Sequence, residues 1–311
     1  MLHNAGTAAP VLIAGSVALD SLETPYGSVH DTLGGSAMYA SLACSLFAPV
    51  RLVGVVGGDY PPAGLDLLTS RGVDLEGLEV IAKGLTFRWA GRYGANLGAA
   101  ETLATHLNVF ADFSPKLPES YRDTAYVFLA NIQPQLQAQV LAQIAPPRLS
   151  MCDTMNLWLN TVPREVEAMI GKVDIALMND AEARQLTGEP HLISAAEKTR
   201  ALGARWPVVK KGEHGAMVCT EEGFRFVPPF PTTQPIDTTG AGDAFAGGMI
   251  GHLAATGEIS SENLVRAAAY GTVLASFCVE GLGVQALAAA TLEQVKERYA
   301  VLEKSSRIPL L

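Results

Sequence analysis

The sequence predicts an α/β fold in which helices cover both faces of a mostly parallel central sheet. Between residues 125 and 210, short apolar strands alternate with helical segments. The strands are predicted at 126–130, 148–152, 174–178 and 206–210, and the helices near 134–144, 162–170, 180–187 and 194–203. Strands of parallel sheets are buried on both faces and therefore read as unbroken apolar runs. A second indication is the segment 244–255, which is small or apolar on nearly every side and so predicts a buried helix.

The other elements follow from local signals. Alternation of apolar and polar residues predicts strands, glycine and proline clusters predict turns, and a Thr-x-x-Gln capping box predicts the start of the last helix. In chain order they are a strand at 11–14, a small-residue helix after 35, strands at 51–56 and 85–93, a hairpin at 217–227, and helices at 261–279 and 291–304.

The strand at 85–93 has two different faces. Phe87, Trp89 and Tyr93 share one face, and Arg88 and Arg92 share the other. The aromatic face favours stacking on a ring, whereas the arginine face favours an anion. A hydrophobic contact between subunits, with solvated arginines opposite, accounts for the pattern equally well.

Composition and charge exclude several classes of function. Lys and Arg total 22 against 31 acidic residues, a net charge of −9, which disfavours nucleic acid and anionic membranes as partners. The longest uncharged apolar runs are shorter than the roughly 18–20 residues needed to span a bilayer. No basic segment leads into an apolar stretch at the start, so we read no signal peptide and expect a cytoplasmic protein. The four cysteines are scattered, which indicates buried thiols and neither disulfides nor a zinc site.

The segment 237–248, with the sequence DTTGAGDAFAGG, carries the clearest chemical signal. Glycines at the start of a helix leave backbone N–H groups free, so Gly240, Ala241 and Gly242 can bind an anion such as phosphate. Asp243 would repel that anion unless it takes a proton from an attacking hydroxyl. The plainer interpretation is that Asp243 is a helix N-cap. The glycine spacing matches neither a P-loop nor the G-x-G-x-x-G dinucleotide fingerprint.

These twelve residues are similar to the C-terminal signature of the ribokinase-like carbohydrate kinases, also called the phosphofructokinase-B type. The resemblance implies that Asp243 is the catalytic base and that the amides of Gly240, Ala241 and Gly242 form the anion hole. It also implies a ribokinase-like three-layer fold with a small β-lid.

The acceptor side of the resemblance lies in the N-terminal part of the chain. Asp20 occupies the position of an aspartate that binds hydroxyls of the phosphate acceptor, and Gly34-Gly35 resembles the glycine pair that lets a substrate approach the backbone. Tyr39 stands where the family has an asparagine. An aromatic ring can stack on a sugar or a base, or close the pocket, but it cannot replace an amide's paired donor and acceptor.

Two polar residues follow strands of the predicted sheet. Asn131 and Asp153 come after the strands at 126–130 and 148–152. Because the carboxyl ends of parallel strands face the ligand crevice, we expect both residues there, and we count Asn131 with the substrate-binding residues.

The nucleotide side of the resemblance follows the later strands. Asn179 and Glu182 resemble the family's Asn-x-x-Glu motif, which is tied to the magnesium and phosphate end of the site, although ordinary helix capping explains this pair equally well. Lys210, Gly212 and Gly215 resemble the strand and glycine turn beside the nucleotide. Lys210 replaces the usual small hydroxylic residue, and a lysine there can pair with phosphate.

We therefore predict a single ribokinase-like domain over 1–311, with a discontinuous β-lid from about 20–33 and 85–112. It is expected to be an ATP-dependent kinase acting on a small polyhydroxylated acceptor such as a sugar, and to form a homodimer through the lid. Mg²⁺ is expected to arrive with ATP and to contact Glu182 through water, while the need for a monovalent cation such as K⁺ is left open.

Three alternatives to this function can be compared on the sequence. A nucleoside kinase of the same fold fits because Tyr39, Phe87 and Trp89 can stack on a base. A catalytically silent sensor is disfavoured, since it would not need Asp243. A dinucleotide-dependent oxidoreductase is rejected on the glycine spacing.

Overall fold

The structure is a computed structural model and describes residues 8–307. Its strands are β1 (Val11–Ala14), β2 (Ala18–Thr24), β3 (Gly27–Gly34), β4 (Val50–Gly57), β5 (Val73–Asp74), β6 (Leu78–Ile81), β7 (Phe87–Arg92), β8 (Glu101–His106), β9 (Tyr126–Leu129), β10 (Leu149–Asp153), β11 (Ile175–Asn179), β12 (Trp206–Lys210), β13 (Ala216–Thr220) and β14 (Gly223–Val227). Its α-helices are α1 (Ser36–Cys44), α2 (Pro62–Ser70), α3 (Pro134–Leu141), α4 (Asn156–Thr161), α5 (Pro163–Ile170), α6 (Asp180–Thr187), α7 (Leu192–Ala201), α8 (Ala241–Thr256), α9 (Ser261–Cys278), α10 (Gln285–Ala289) and α11 (Leu292–Ser306).

The central sheet has the order β14-β13-β12-β11-β10-β9-β1-β4-β5, and β6 also pairs with β4. All neighbours from β12 to β4, and the pairs that β5 and β6 make with β4, are parallel, whereas β12, β13 and β14 pair antiparallel. The predicted mostly parallel sheet is confirmed, because long helical connections allow successive strands to run in the same direction. The short β13–β14 connection allows only a hairpin.

Hydrophobic cores lie on both faces of this sheet. In β1, Val11 and Ile13 belong to the core packed with α1, α8 and α9, while Leu12 and Ala14 belong to the core on the other face. Successive side chains of a strand point to opposite faces, so a strand buried on both faces must be apolar at every position. The apolar runs of the sequence have this physical cause.

Helix α8 is buried along its length, as the segment 244–255 predicts, because it lies between α1 and α9. Its glycines permit this close packing. A Cβ on Gly247 would lie 2.2 Å from the Ala40 carbonyl oxygen of α1, and one on Gly251 would lie 3.0 Å from the Cys44 carbonyl oxygen. The small residues of α8 therefore fix the position of its N-terminus relative to the sheet.

A second, four-stranded sheet has the order β3-β2-β7-β8. β2 starts only a few residues after β1, so this small sheet begins at the carboxyl edge of the central sheet. β2 and β7 are parallel, and their neighbours are antiparallel. The segments 20–33 and 85–112 thus contribute strands to one sheet.

Two expectations about the whole chain can be compared with residues 8–307. Within that range no helix combines the length and apolarity needed to cross a bilayer. The four cysteines, Cys44, Cys152, Cys219 and Cys278, are all buried and unpaired, as their scattered spacing predicts.

Candidate active site

The turn before α8 provides unpaired backbone amides. Gly240 is the helix N-cap and has left-handed backbone angles, φ 73° and ψ 0°. The Ala241 N–H donates to the Thr238 carbonyl over a long 3.3 Å, and the amides of Gly240 and Gly242 make no hydrogen bond within residues 8–307. This is the arrangement that binds anions at a helix N-terminus.

Asp243 lies in the first turn of α8 and does not cap it. The N-cap is Gly240, and no side chain caps this helix. The N-cap interpretation of Asp243 is therefore wrong. The pKa of the Asp243 carboxyl is raised to about 7, with burial as the largest cause; the nearby Asp153 and Glu182 also raise this pKa, and Lys210 lowers it. A carboxyl with a pKa near neutrality is well suited to accept a proton during catalysis.

A buried ion pair lies beside this turn. Lys210, at the end of β12, donates to the Asp153 carboxylate at the end of β10, and the two strands flank β11. The Lys210 ammonium lies 3.1 Å from the position that a Cβ on Gly242 would take. Burial disfavours its charge, but Asp153 and Glu182 outweigh burial and raise the pKa of Lys210. A lysine cation therefore lies next to the free amides.

Asn179 and Glu182 form a capping box at the start of α6. The Asn179 side chain accepts from the Glu182 N–H at 2.8 Å, and a Glu182 carboxylate oxygen accepts from the Asn179 N–H at 2.7 Å. The pKa of Glu182 is raised to about 7, because the effect of burial exceeds the opposing effect of Lys210. The capping interpretation is thus correct, and the same glutamate lies close to the buried lysine.

Asp20 faces the same crevice from the small sheet. A Cβ on Gly34 would lie 1.9 Å from its Oδ2, so this glycine leaves room for the carboxyl. The pKa of Asp20 is raised to about 7, with burial as the largest cause; the Gly35 amide lowers this pKa, and Asp243 and Asp237 raise it. Asp20 and Asp243 are therefore near enough to interact electrostatically.

Tyr39 is buried against the turn before α8. It is 1% exposed, and its ring lies so close to Gly240 that a Cβ there would be 2.3 Å from ring carbons. Its hydroxyl is buried and has no hydrogen-bond partner within residues 8–307. Of the two roles left open by the sequence, closing the pocket is the one that this burial favours.

Asp20 and the aromatic side chain of Trp89 lie on the same face of the small sheet. Asp20 of β2 and Trp89 of β7 are paired in register, so their side chains point to the same face. The Trp89 ring lies against Gly91, where a Cβ would be 2.2 Å from it. Arg88 points to the other face, where it binds Asp59 at 2.7 Å and Asp31 at 3.1 Å. Trp89 therefore shares a face with Asp20, and Arg88 lies on the opposite face.

The loop between β7 and β8 touches the anion-binding turn. The Tyr93 hydroxyl and the Thr239 Oγ1 are 2.8 Å apart, and the Thr238 hydroxyl donates to the Leu97 carbonyl at 2.9 Å. Sequence reasoning missed this contact, because nothing in the pattern of residues 93–97 indicates where a loop will fold.

Three further predicted site residues lie at the rim. Asn131 accepts from the Trp158 indole at 2.9 Å, and its carbonyl accepts from the Ser36 hydroxyl at 3.3 Å. Gly212 and Gly215 follow β12 with φ of 55° and 79°. The two glycines are needed by the turn itself, in which the Gly215 N–H donates to the Gly212 carbonyl at 3.0 Å.

Asp153 is the residue whose importance the sequence understated. It was expected in the crevice from its place after a strand, but nothing in the sequence showed that it would pair with a lysine 57 positions later. Lys210 was expected beside phosphate. The sequence signal for its special role was that a lysine stands where the family has a small hydroxylic residue.

A mostly parallel sheet, a small sheet at its carboxyl edge, and free amides beside a carboxyl group together define a kinase of small molecules. The family model described as "pfkB family carbohydrate kinase" matches residues 17–291. The chain therefore belongs to the pfkB family, as the signature predicts, and is an ATP-dependent kinase of the ribokinase type.

Individual relatives agree with this assignment. The cytidine kinase of Thermococcus kodakarensis is 27% identical over 246 residues, which cover 77% of this chain and 87% of that protein. The aminoimidazole riboside kinase of Salmonella typhimurium is 36% identical over 97 residues, 30% of each chain.

Solved structures confirm the ribokinase-like fold. A nucleoside kinase of Burkholderia thailandensis in complex with inosine has a TM-score of 0.74 at 20% identity, covering 94% of this chain and 96% of that chain. A ribokinase from Cryptococcus neoformans var. grubii in complex with ADP has a TM-score of 0.76 at 22% identity, covering 94% and 100%. The family match contradicts the oxidoreductase alternative.

Proposed function

We propose that this protein transfers the γ-phosphoryl group of ATP to a hydroxyl of a small neutral ring compound, with Asp243 as the general base. The observation that carries this proposal is the position of the Asp243 carboxyl beside the free amides of Gly240 and Gly242, with its pKa raised to about 7. A base and an anion site in contact are what a hydroxyl needs to attack a phosphorus atom.

In this proposal each group has one task. Asp20 accepts hydrogen bonds from the acceptor's hydroxyls and orients the ring. Asp243 takes the proton of the reacting hydroxyl while the oxygen of that hydroxyl bonds to the γ-phosphorus. The bond between the γ-phosphorus and the oxygen that bridges it to the β-phosphorus breaks, and ADP is released. The amides of Gly240, Ala241 and Gly242 and the Lys210 ammonium stabilise the charge on the transferred group.

The residues fit a magnesium ion that is held through water. Within residues 8–307 no three His, Cys, Asp or Glu side chains come together as metal ligands. Glu182 uses one carboxylate oxygen in the capping box, which leaves its other oxygen for water. Bound Mg²⁺ neutralises phosphate charge, and it usually keeps several waters when it is carried by a nucleotide.

A monovalent cation would find negative charge at Asp237. This carboxylate is fully buried, and its two oxygens accept from the amides of Thr239 and Gly283, both at 2.9 Å. We propose K⁺ as a candidate activator at this turn. Replacing K⁺ by tetramethylammonium at constant ionic strength tests it, because a requirement appears as a loss of activity.

A nucleoside is the second candidate acceptor, and Trp89 favours it. Its side chain is on the same face of the small sheet as Asp20, so the indole can stack on a base while Asp20 binds ribose hydroxyls. The cytidine kinase and nucleoside kinase named above are consistent with this choice. A sugar alone would use Asp20 and leave most of the indole uncovered.

We further propose that the chain is one domain, with the four-stranded sheet as a lid over the acceptor, and that two lids meet in a homodimer. The β8 strand leaves Leu103 41% exposed at the outer edge of this sheet, where a second copy can pack. Mass measurement in solution tests the dimer.

Turnover of ATP with a panel of sugars, sugar phosphates, inositols and nucleosides tests the function. We expect ADP formation that depends on an unphosphorylated ring acceptor. Absence of acceptor-dependent turnover across the panel would favour the silent sensor.

A further inference from the structure

The ion pair between Lys210 and Asp153 is buried in a way that stability alone does not explain. The Asp153 side chain is 4% exposed and that of Lys210 is 16% exposed. Removing two charges from water costs several kcal/mol per ion, and replacing a buried ion pair by apolar residues is often neutral or stabilising. A buried pair at the edge of a binding site therefore calls for a functional reason.

Asp153 is held rigidly. Its second carboxylate oxygen accepts from the Thr154 N–H at 3.0 Å, and its main-chain carbonyl accepts from the buried Gln137 amide at 2.9 Å. Lys210, in contrast, is a point charge on a flexible four-carbon stem. Asp153 is the acceptor that contacts the Lys210 ammonium within residues 8–307. The position of that ammonium therefore depends on Asp153.

The ammonium is held where a phosphoryl group would need it. It lies 3.1 Å from the position of a Cβ on Gly242, and the Gly242 amide is free. The other charged groups around it are Glu182 on α6 and Asp243 on α8. Since these groups are all acidic, Lys210 is the cation that offsets them at this end of the crevice.

We propose that Asp153 is a positioning residue, which holds the Lys210 ammonium beside Gly242 so that the lysine stabilises the charge of the transferred phosphoryl group. This inference rests on the proposed function. Asp153 acts through Lys210 and makes no contact with the substrates itself. The Lys210 ammonium then adds a fixed charge to the amides, with no reorganisation at the moment of transfer.

A double-mutant cycle tests this inference. The variants are Asp153→Asn, Lys210→Met and the two combined, measured for kcat, KM for ATP and thermal stability. Lys210→Met alone leaves a buried carboxylate without its partner and should lower Tm, whereas the double variant has no buried charge at the pair and should regain Tm. Lys198→Met is the matched control. It also removes a lysine from an ion pair, but the pair of Lys198 on α7 with Glu189 is exposed to solvent, so kcat and KM should not change.

The expected result separates stability from catalysis. Asp153→Asn should lower kcat at least tenfold while KM for ATP stays within about threefold of the parent. In the Lys210→Met background the same substitution should change kcat less than twofold, although it restores Tm.

Two outcomes overturn the inference. If the double variant regains parental kcat together with its stability, the ion pair is purely structural. If Asp153→Asn lowers kcat by the same factor with and without Lys210, Asp153 does not act through the lysine. Both outcomes differ from failure of the proposed function, which an active Asp243→Asn variant would reveal without reference to this pair.

Discussion

Asp20 and Trp89 lie directly opposite each other on β2 and β7, so a carboxylate and an indole ring share one face of the small sheet. The carboxylate suits hydroxyl groups, and the ring suits a flat apolar surface. Their pairing places both within reach of one nucleoside-sized molecule, because neighbouring strands of a sheet lie about 4.7–4.9 Å apart.

Trp89→Ala is expected to raise KM for nucleosides by about 5- to 150-fold, because stacking of a base on an aromatic side chain contributes about 1–3 kcal/mol. Turnover of a simple sugar should change little. Steady-state kinetics with one nucleoside and one sugar measure the difference. Val301→Ala, at an exposed position of α11, is the control, and equal losses for both acceptors would contradict the stacking role.

The arginines of the small sheet are expected to play no part in acceptor binding. Arg88 is paired with Asp59 and Asp31, and Arg92 with Glu23 at 2.7 Å. A charge-assisted hydrogen bond to a phosphorylated acceptor would contribute about 1.5–3 kcal/mol per contact.

The prediction is therefore that unphosphorylated acceptors are preferred, and that this preference survives in Arg88→Ala and Arg92→Ala. Competition between an acceptor and its phosphorylated form measures it. A preference for phosphorylated acceptors that disappears in either variant would contradict it.

Glu182→Gln is expected to raise the Mg²⁺ concentration needed for half-maximal activity. Glutamine can keep the capping box, as Gln294 does at the start of α11, so α6 should stay folded while the charge that orders metal-bound water is lost. A Mg²⁺ titration at fixed ATP measures the shift. If the curve of the variant overlays that of the parent, the proposed role of Glu182 is wrong.

The central sheet could be predicted in detail because strands buried on both faces must be apolar at every position. The strands at 11–14 and 206–210 coincide with β1 and β12. The helices α4 and α10 were not predicted, because they are short and their apolar residues show too few turns of periodicity. Helix α2 was not predicted either, because the prolines and glycine at 61–64 read as a turn.

The site was predictable where function restricts the backbone, and less so where it depends on distant pairing. Gly240 and Asp243 were recognisable because a helix N-terminus with free amides needs that local pattern. The contacts of Lys210 with Asp153 and of Tyr93 with Thr239 join segments 57 and 146 residues apart, and no local pattern records such contacts. They depend on strand order and on the fold of a loop.

The contact of Tyr39 with Gly240 predicts a difference between the two ends of α8. Gly240 and Gly257 cap the helix with similar φ, 73° and 65°, but a Cβ on Gly257 would meet no atom within 4 Å. Gly257→Ala should therefore cost only the backbone strain of about 1–2 kcal/mol.

Gly240→Ala should cost more than Gly257→Ala, since the new Cβ must displace the buried Tyr39 ring, and it should also reduce activity. Denaturant unfolding of both variants measures the difference. Equal losses of stability would show that the ring moves aside easily.

The Asp243 carboxyl should determine the rate of the reaction without determining stability. Asp243→Asn removes the base but leaves a small polar side chain in the first turn of a helix that Gly240 caps. The variant should unfold at nearly the parental denaturant concentration, because lost helix-dipole attraction, about 0.3–1 kcal/mol, is offset by the absence of a buried charge. ATP affinity should be kept or improved, since a negative charge beside the phosphates is gone.

The loss should appear in turnover and in its pH dependence. Because a base must be deprotonated to act and the pKa of Asp243 is about 7, the parental kcat should fall as the pH drops below neutrality. General-base catalysis contributes about 10²–10⁴-fold, so kcat of Asp243→Asn should fall at least that far. The decrease of kcat below neutral pH that Asp243 causes should be absent from the pH profile of the residual rate. If the purified variant keeps more than about a tenth of parental kcat, which corresponds to a barrier change below about 1.4 kcal/mol, Asp243 is not the base and the proposed mechanism is wrong.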